Sequence, residues 1–261
     1  MPSSHEAFVP GSDPVEPWVQ IKYFNFAQTI YPNMIHATSK GISAGSLVNV
    51  YDPNGDFFGT GFFNERARMP LRVIHHGAGP ITEADLENRV RESARFRAEV
   101  LNLDSVTDAY RVIHGNGDNL SGLIVDRYGD TLVTHVSSLP VQQRLNKWLA
   151  IIHETLGTEH SHVEIDSSAP REEGLKHSTP TPRKRIKITE NDLQFEIDFS
   201  EGHKTGFFCD QRENRKRLTE FTRGKRVLDL CCYSGGFSIY AAGPGNAASV
   251  TGVDLDEKAI A

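Results

Sequence analysis

The most constraining feature of the sequence is a glycine turn between two short apolar segments. Val227–Leu230 is an apolar run that carries one acid, and Ser249–Val253 is a second run that leads into Asp254. Between them, Gly235 and Gly236 make a turn that only small residues form tightly, and the residues that follow predict a short helix. A strand, a glycine turn, a helix and a second strand predict the first half of a nucleotide-binding α/β unit.

Two carboxylates define the chemistry expected at this turn. A ribose-binding acid usually lies ~20 residues after the glycine turn, and the spacing from Gly235 to Asp254 is close to this value. The turn carries neither the dinucleotide fingerprint nor a phosphate loop with its lysine. Asp229 would repel a pyrophosphate but suits a cationic nucleoside, which favours S-adenosylmethionine over NAD. The alternative is that the glycines only make a tight turn in an unrelated α/β protein.

Composition limits the classes of protein that this sequence can belong to. The 261 residues are enough for two or three domains, and the net charge of −6 means that nucleic-acid binding would need a segregated basic face. Cys209, Cys231 and Cys232 form no C-x-x-C pair, which excludes a disulfide scaffold and favours a reducing cytoplasm. No apolar run approaches ~20 residues and no signal peptide is recognisable, so we expect no membrane partner, and we expect no metal.

The N-terminal region predicts a small β barrel. Residues 1–17 are rich in proline and predict a disordered segment, and residues 18–80 predict the barrel. Within it, the strands Ser46–Tyr51 and Phe57–Phe63 flank an Asn-Gly hairpin turn. Its candidate RNA-phosphate contacts are the outward-facing arginines Arg66, Arg68 and Arg72. The alternative reading, solvated strand residues, stays open at this point.

The middle of the chain predicts a compact α+β domain over residues 81–166. A capping box at Thr82 opens its first helix, and apolar residues at spacings of three and four predict a second helix over residues 140–156. Residues 167–183 carry three prolines and predict a linker. Residues 184–261 predict a hairpin followed by the α/β unit described above.

The stretch that precedes the glycine turn combines glycine, aromatic and charged residues. Residues 201–212 form a polar and aromatic loop, and Asp210 is expected to cap a helix over residues 211–221. This helix is the most basic part of the chain, and its Arg215 and Arg217 are further candidate RNA contacts.

Three segments carry a resemblance to a known family. They are residues 202–215 (GHKTGFFCDQRENR), residues 225–237 (KRVLDLCCYSGGF) and residues 117–130 (GDNLSGLIVDRYGD). The chain resembles, over roughly residues 18–261, the RlmI-type class I methyltransferases, which form 5-methylcytosine in large-subunit ribosomal RNA. The resemblance implies a multi-domain architecture with a PUA-like β barrel, a central α+β domain and the first part of a Rossmann-like α/β methyltransferase domain.

The resemblance also implies a site and its ligands. The cofactor is S-adenosylmethionine, the macromolecular partner is ribosomal RNA, and a homodimer is left open. The implied cofactor-binding residues are Lys204, Thr205, Phe207, Asp210, Gln211, Arg212, Asp229, Tyr233, Ser234, Gly235, Gly236 and Asp254.

The sequence departs from the family pattern at its end. The family's substrate loop and catalytic cysteine are expected beyond Ala261, and none of Cys209, Cys231 and Cys232 stands at the position of that nucleophile. We therefore predict a truncated chain, without a catalytic residue of its own, that does not methylate RNA alone. Because two parallel strands and one helix cannot cover both sheet faces, we expect residues 203–261 to be loosely held or completed by another chain. The competing readings are a non-catalytic RNA-binding module and a methyltransferase of another substrate.

Overall fold

A computed structural model describes residues 13–176, 185–198 and 207–257. The chain divides into two compact units. The first comprises residues 1–102 and 112–181, and the second comprises residues 103–111 and 182–261. The region predicted as a barrel falls in the first unit, and so does the region predicted as a central domain apart from residues 103–111. Most of the segment predicted to be disordered, residues 1–12, lies outside the described residues.

Six strands form the sheet of the N-terminal region: β1 (Trp18–Ile21), β2 (Thr29–Ile30), β3 (Ile35–Thr38), β4 (Ser46–Tyr51), β5 (Phe57–Phe63) and β6 (Leu71–His76). Their order is β2-β6-β5-β4-β1-β3, and only the β1–β4 pair is parallel. The inward-facing side chains of these strands, Val19, Val50 and Leu71 among them, are fully buried and form one apolar cluster. The strands predicted at 46–51 and 57–63 are confirmed.

The chain between this sheet and residue 166 contains α1 (Glu83–Arg95), β7 (Ala109–His114), β8 (Leu123–Tyr128), β9 (Thr131–Val136), α2 (Leu139–Leu156) and β10 (His160–Ile165). The first three residues of β7 are part of the second unit. The strands form one sheet in the order β10-β9-β8-β7. The predicted capping box is confirmed, because Asp85 Oδ2 accepts from the backbone N–H of Thr82 at 2.7 Å and Thr82 Oγ1 accepts from that of Asp85 at 3.3 Å. Gly157 ends α2 in the left-handed conformation, as the sequence predicts.

The first part of the predicted linker is instead folded. It contains the short helix α3 (Ala169–Glu172), and Glu173 is buried after it. Glu173 Oε1 lies 2.7 Å from Nη2 of Arg72, and its backbone oxygen accepts from Asn64 Nδ2 at 2.8 Å. The expectation that Arg72 faces outward is therefore wrong, because this arginine neutralises a buried acid. The remainder of the linker, residues 177–183, lies outside the described residues.

The second unit contains β11 (Arg185–Glu190), β12 (Leu193–Asp198), α4 (Arg212–Thr222), β13 (Arg226–Leu230), α5 (Gly236–Ala242) and β14 (Ser249–Val253). β11 and β12 are antiparallel across a two-residue turn, Asn191 and Asp192, both with positive φ. β13 and β14 are parallel neighbours. The predicted cap at Asp210 is wrong, because a 3-10 turn over Cys209–Gln211 precedes α4 and Gln211 occupies the capping position without a side-chain hydrogen bond.

The sheet of β13 and β14 has one open face. Leu228, Leu230 and Val253 retain 61%, 66% and 46% of their accessible surface. They share one face because Leu230 is paired with Val253 and side chains alternate along each strand. No helix among the described residues is both long enough and apolar enough to span a bilayer.

Candidate functional site

The ends of β13 and β14 lie side by side, as the sequence predicts. The register pairs Asp229 with Gly252 and Leu230 with Val253, so the turn after β13 and Asp254 after β14 meet at the same edge of the sheet. A direct hydrogen bond joins them, because the backbone N–H of Tyr233 donates to Oδ2 of Asp254 at 2.7 Å. The parallel pairing thus places the glycine turn and the second acid in one site.

Asp254 is held as an ionised acceptor. Its Oδ1 accepts from the backbone N–H of Asp256 at 2.9 Å, in addition to the bond from Tyr233. These hydrogen bonds, that of Asp256 first, lower the pKa of Asp254 below its ordinary value. A carboxylate offers about four acceptor sites, so two donors from the backbone leave capacity for the hydroxyl groups of a ligand.

The turn after β13 is built from left-handed backbone conformations. Cys231 and Tyr233 have φ of +59° and +50°, and Gly235 has φ of +72°. Gly236 is favoured for a different reason, since a Cβ at this residue would lie 3.1 Å from Cδ of Arg215, which its ion pair holds in place. Non-glycine residues in the left-handed region are uncommon and concentrate where a ligand or a switch over-determines the backbone. The backbone after β13 is therefore shaped by constraints beyond a simple strand-to-helix connection.

Asp229 supplies the second carboxylate of the site. It is half-buried near the end of β13, and its Oδ2 accepts from the hydroxyl of Ser238 at 2.7 Å. Ser238 lies on α5, so the acid is oriented from the helix that covers this face of the sheet. Ser234, which lies between Tyr233 and Gly235 in the turn, is exposed.

An arginine near the start of α4 organises the polypeptide next to the turn. Arg215 makes two hydrogen bonds to the carboxylate of Glu190, at 2.8 and 2.7 Å, and the two side chains are 3% and 0% exposed. Its Nη1 donates to the backbone oxygen of Phe208 at 3.0 Å, and its guanidinium lies 4.6 Å from the ring centre of Phe207. One side chain therefore fixes the hairpin, the Phe207–Phe208 segment and the start of α5.

Tyr240 completes this buried polar group from α5. Its hydroxyl donates to Glu190, with Oε1 at 3.0 Å and the backbone oxygen at 3.1 Å, and accepts from Asn191 Nδ2 at 2.9 Å. Burial is the main cause that raises the pKa of Tyr240 to about 12, and the neighbouring carboxylate of Glu190 adds to it. The tyrosine is consequently a neutral donor over the whole physiological range.

The other predicted cofactor-binding residues differ in burial and in the partners that they contact. Phe207 is buried against Phe195, with ring centres 5.2 Å apart. Asp210 is exposed and Gln211 donates to it, while Arg212 bonds to its neighbour Glu213. The segment reaches the turn through Phe208, whose ring packs edge-on against Tyr233 at 5.3 Å. Lys204 and Thr205 lie outside the described residues.

The predicted RNA-contacting arginines separate into two groups. Arg66, Arg68 and Arg217 are exposed. Arg72 and Arg215 are instead buried in ion pairs with Glu173 and Glu190. Because a guanidinium in such a pair already has its partner, the expectation of a surface RNA contact does not fit the position of these two arginines.

Sequence reasoning missed the partners of Arg215. The predicted hairpin over residues 185–198 was not examined for buried charges, although the alternation Ile186, Ile188, Glu190 places Glu190 on the inward face of β11. That alternation was the available signal. Tyr240 gave no comparable signal, because an aromatic residue in a short helix is ordinary core.

The environment of Cys232 opposes the formation of a thiolate. Burial raises the pKa of Cys232, and the carboxylates of Asp229 and Asp254 act in the same direction. Cys231 is exposed beside it and Cys209 is half-buried. In the part of the chain that the structure describes, no group of three or more His, Cys, Asp and Glu side chains is arranged to hold a metal ion.

Comparison with known protein families yields two matches. Residues 159–260 match the model of an S-adenosylmethionine-dependent methyltransferase family, and residues 21–76 match that of a PUA-like domain. The first match contains the glycine turn and both carboxylates, and it confirms the cofactor class predicted from the sequence. The second contains all six strands of the N-terminal sheet except the first residues of β1.

Curated relatives are similar over most of this chain. "Ribosomal RNA large subunit methyltransferase I" of Photobacterium profundum is 30% identical over 84% of this chain and 56% of the relative. The protein of the same name from Shewanella denitrificans is 32% identical over 88% of this chain and 59% of the relative. The chain thus spans somewhat more than half the length of the curated relatives that it matches.

A solved structure shares the fold. A Streptococcus mutans protein assigned as an S-adenosylmethionine-dependent methyltransferase superposes with a TM-score of 0.68 at 21% identity, covering 93% of this chain and 65% of that protein. Another protein, assigned as a methyltransferase and crystallised with SAH, gives a TM-score of 0.69 at 21% identity over 90% of this chain and 60% of that one. Residues 159–260 thus match the S-adenosylmethionine-dependent methyltransferase family, and the chain is similar to ribosomal RNA large-subunit methyltransferases over most of its length.

Proposed function

We propose that the second unit binds S-adenosylmethionine at the turn after β13 and that the chain serves the methylation of large-subunit ribosomal RNA. The observation that carries the proposal is the hydrogen bond from the Tyr233 backbone to Asp254, which joins the glycine turn and the acid of the next strand in one site. An ionised acid at the end of the second strand suits the two ribose hydroxyls of a nucleoside.

Each side of the site has a proposed role. Asp254 accepts from the ribose hydroxyls, and Gly235 and Gly236 let the backbone approach the ligand without a side chain between them. Asp229, oriented by Ser238, faces the cationic end of the ligand, where a negative charge is favourable. From the motif resemblance, the remaining proposed contacts are Lys204, Thr205, Phe207, Asp210, Gln211, Arg212, Tyr233 and Ser234.

The proposed substrate is large-subunit ribosomal RNA, with cytosine as the target base. The names of the curated relatives and the PUA-like match support the RNA, and the resemblance supports the base. Arg66, Arg68 and Arg217 remain proposed phosphate contacts because all three side chains are exposed. An assay with labelled S-adenosylmethionine and ribosomal RNA tests the proposed substrate.

Calorimetric titration tests the cofactor site. We expect S-adenosylmethionine to bind and NAD not to bind, and we expect Asp254→Ala to weaken binding at least about tenfold, since it removes charged hydrogen bonds worth about 1.5–3 kcal/mol. Glu220→Ala, which removes an exposed acid from α4, is the matched control and should leave the affinity unchanged. Equal affinity for the wild type and Asp254→Ala, or tighter binding of NAD, would overturn the proposal.

A further inference from the structure

Three aromatic side chains of the first unit stand out from its surface. Tyr23, Phe24 and Phe26 are 64%, 60% and 72% exposed, and all lie in the segment between β1 and β2. Exposure of three aromatic rings within four consecutive positions is unusual, because such residues contribute most when buried. These three residues, together with Phe58 and His76, which contact the phenylalanines, are called the aromatic platform below.

The platform has a firm base. The ring of Phe26 lies 5.2 Å from that of Phe58 and 5.3 Å from that of His76, and Phe24 packs edge-on against Phe58 at 6.2 Å. Phe58, on β5, packs in turn against the apolar core of the sheet. The rings of Phe24 and Phe26 therefore rest on the folded sheet and do not depend on a ligand for their position.

The backbone of the exposed segment is tied down at both ends. The N–H of Lys22 donates to the oxygen of Met34 at 2.8 Å, and the oxygen of Gln28 accepts from Val73 at 2.8 Å. Between them, the side chain of Asn25 accepts from the N–H of Ala27 at 2.8 Å. A ring held in this way loses little conformational entropy when a ligand stacks on it.

The size and chemistry of the platform distinguish between classes of partner. Three rings at this exposure offer on the order of 400 Å², which is about half of what one partner buries in a standard protein interface. A stacked nucleobase needs only one ring face. Burial lowers the pKa of His76, so the platform carries no charge of its own near neutral pH. Lys22 directly precedes Tyr23 in the chain and is a candidate cation for a phosphate.

We propose that the three exposed rings of the aromatic platform, those of Tyr23, Phe24 and Phe26, are a stacking site for unpaired bases of RNA. The proposal rests on the proposed function for the identity of the nucleic acid. It adds a subsite that recognises single-stranded RNA, because the bases of a duplex are already stacked on one another and cannot reach the rings.

Fluorescence anisotropy on the full chain tests the subsite. The probes are a fluorescein-labelled RNA of about 12 nucleotides that does not pair with itself and the duplex of the same sequence, at about 0.15 M salt. We expect F24A/F26A to weaken binding of the single strand at least about tenfold, since stacking contributes strongly for each base. F24L/F26L, which keeps apolar surface but not a ring, should lose as much. F221A removes a ring that is 64% exposed in the second unit and should change affinity less than about twofold.

The alternatives give different results. Wild-type affinity in F24A/F26A overturns the subsite and leaves the proposed function intact. If F24L/F26L binds RNA with wild-type affinity, the rings make apolar contact and do not stack on bases. If sedimentation shows a wild-type dimer that F24A/F26A dissociates, and RNA affinity does not change, the occupant of the platform is a second copy of the chain. If the wild-type chain binds S-adenosylmethionine but binds neither the single-stranded nor the duplex RNA, the subsite and the RNA part of the proposed function are both overturned. The cofactor site is unaffected by that result.

Discussion

The two units of this chain bury their sheets to different extents. In the first unit, β6 is buried over Leu71, Val73 and Ile74, and the strands beside it are covered in the same way. In the second unit, the parallel strands β13 and β14 leave Leu228 and Leu230 more than half exposed. Parallel sheets are normally covered on both faces. The first unit is thus held mainly by apolar burial, and the second depends more heavily on a few polar contacts.

The buried ion pairs show the same contrast. Arg72 and Glu173 in the first unit sit beside a large apolar core and retain 10% and 6% of their side-chain surface. Arg215 and Glu190 in the second unit are more completely buried and connect the hairpin, α4 and, through Tyr240, α5. Loss of a charge partner should therefore affect the second unit more than the first.

Removal of Arg215 should give the largest effect. Arg215→Ala leaves the carboxylate of Glu190 buried without its partner, which costs about 3–5 kcal/mol. We expect amide hydrogen exchange, followed by mass spectrometry, to accelerate across residues 185–198 and 207–257. Both tryptophans, Trp18 and Trp148, lie in the first unit, so the fluorescence-detected unfolding transition should stay in place.

Two further variants control that experiment. Arg217→Ala removes an exposed arginine from the same helix and should change stability by less than about 0.5 kcal/mol. The double variant R215M/E190Q, which removes both charges, should recover part of the loss, because no unpaired charge remains buried. Unchanged exchange in Arg215→Ala would show that the polar group does not hold the second unit together.

Raised pH should weaken the second unit through Tyr240. The folded-state pKa is about 12 against an ordinary value of 10, so the unfolded chain ionises first. This contribution to stability is present in full below pH 10 and is lost as the pH rises from 10 to 12, by about 3 kcal/mol. Exchange measured between pH 9 and 11 should show this slope in the wild type and a smaller one in Tyr240→Phe. Equal slopes would contradict the assignment.

Much of the fold follows from patterns that are local in sequence. The capping box at Thr82, the apolar spacing of α2 and the alternation in β11 and β12 each specify an element through neighbouring residues, and the structure confirms them. The adjacency of the glycine turn and Asp254 was also predictable, because a strand-helix-strand unit brings successive parallel strands together.

The partners of the buried arginines were not predictable in the same way. Arg72 and Glu173 are separated by about a hundred positions, and a proline-rich segment gives no signal that its first part packs against a sheet. A single arginine in a basic helix likewise resembles its exposed neighbours until the acid that it faces is known. Charge patterns in the sequence therefore predict too many surface contacts where an arginine pairs with an acid that is distant in sequence. Arg72 and Arg215 are both examples of this error.

The smallest effect should come from the open face of the sheet of β13 and β14. Leu228→Ser and Leu230→Ser exchange side chains that are already in water, so each should change stability by less than about 0.5 kcal/mol. Leu71→Ala, in the covered sheet of the first unit, should cost about 2–5 kcal/mol. Hydrogen exchange for the serine variants and tryptophan fluorescence for Leu71→Ala supply the two measurements. A loss above about 2 kcal/mol in either serine variant would mean that this face is covered in solution, because a leucine can cost that much only where its removal uncovers buried apolar surface.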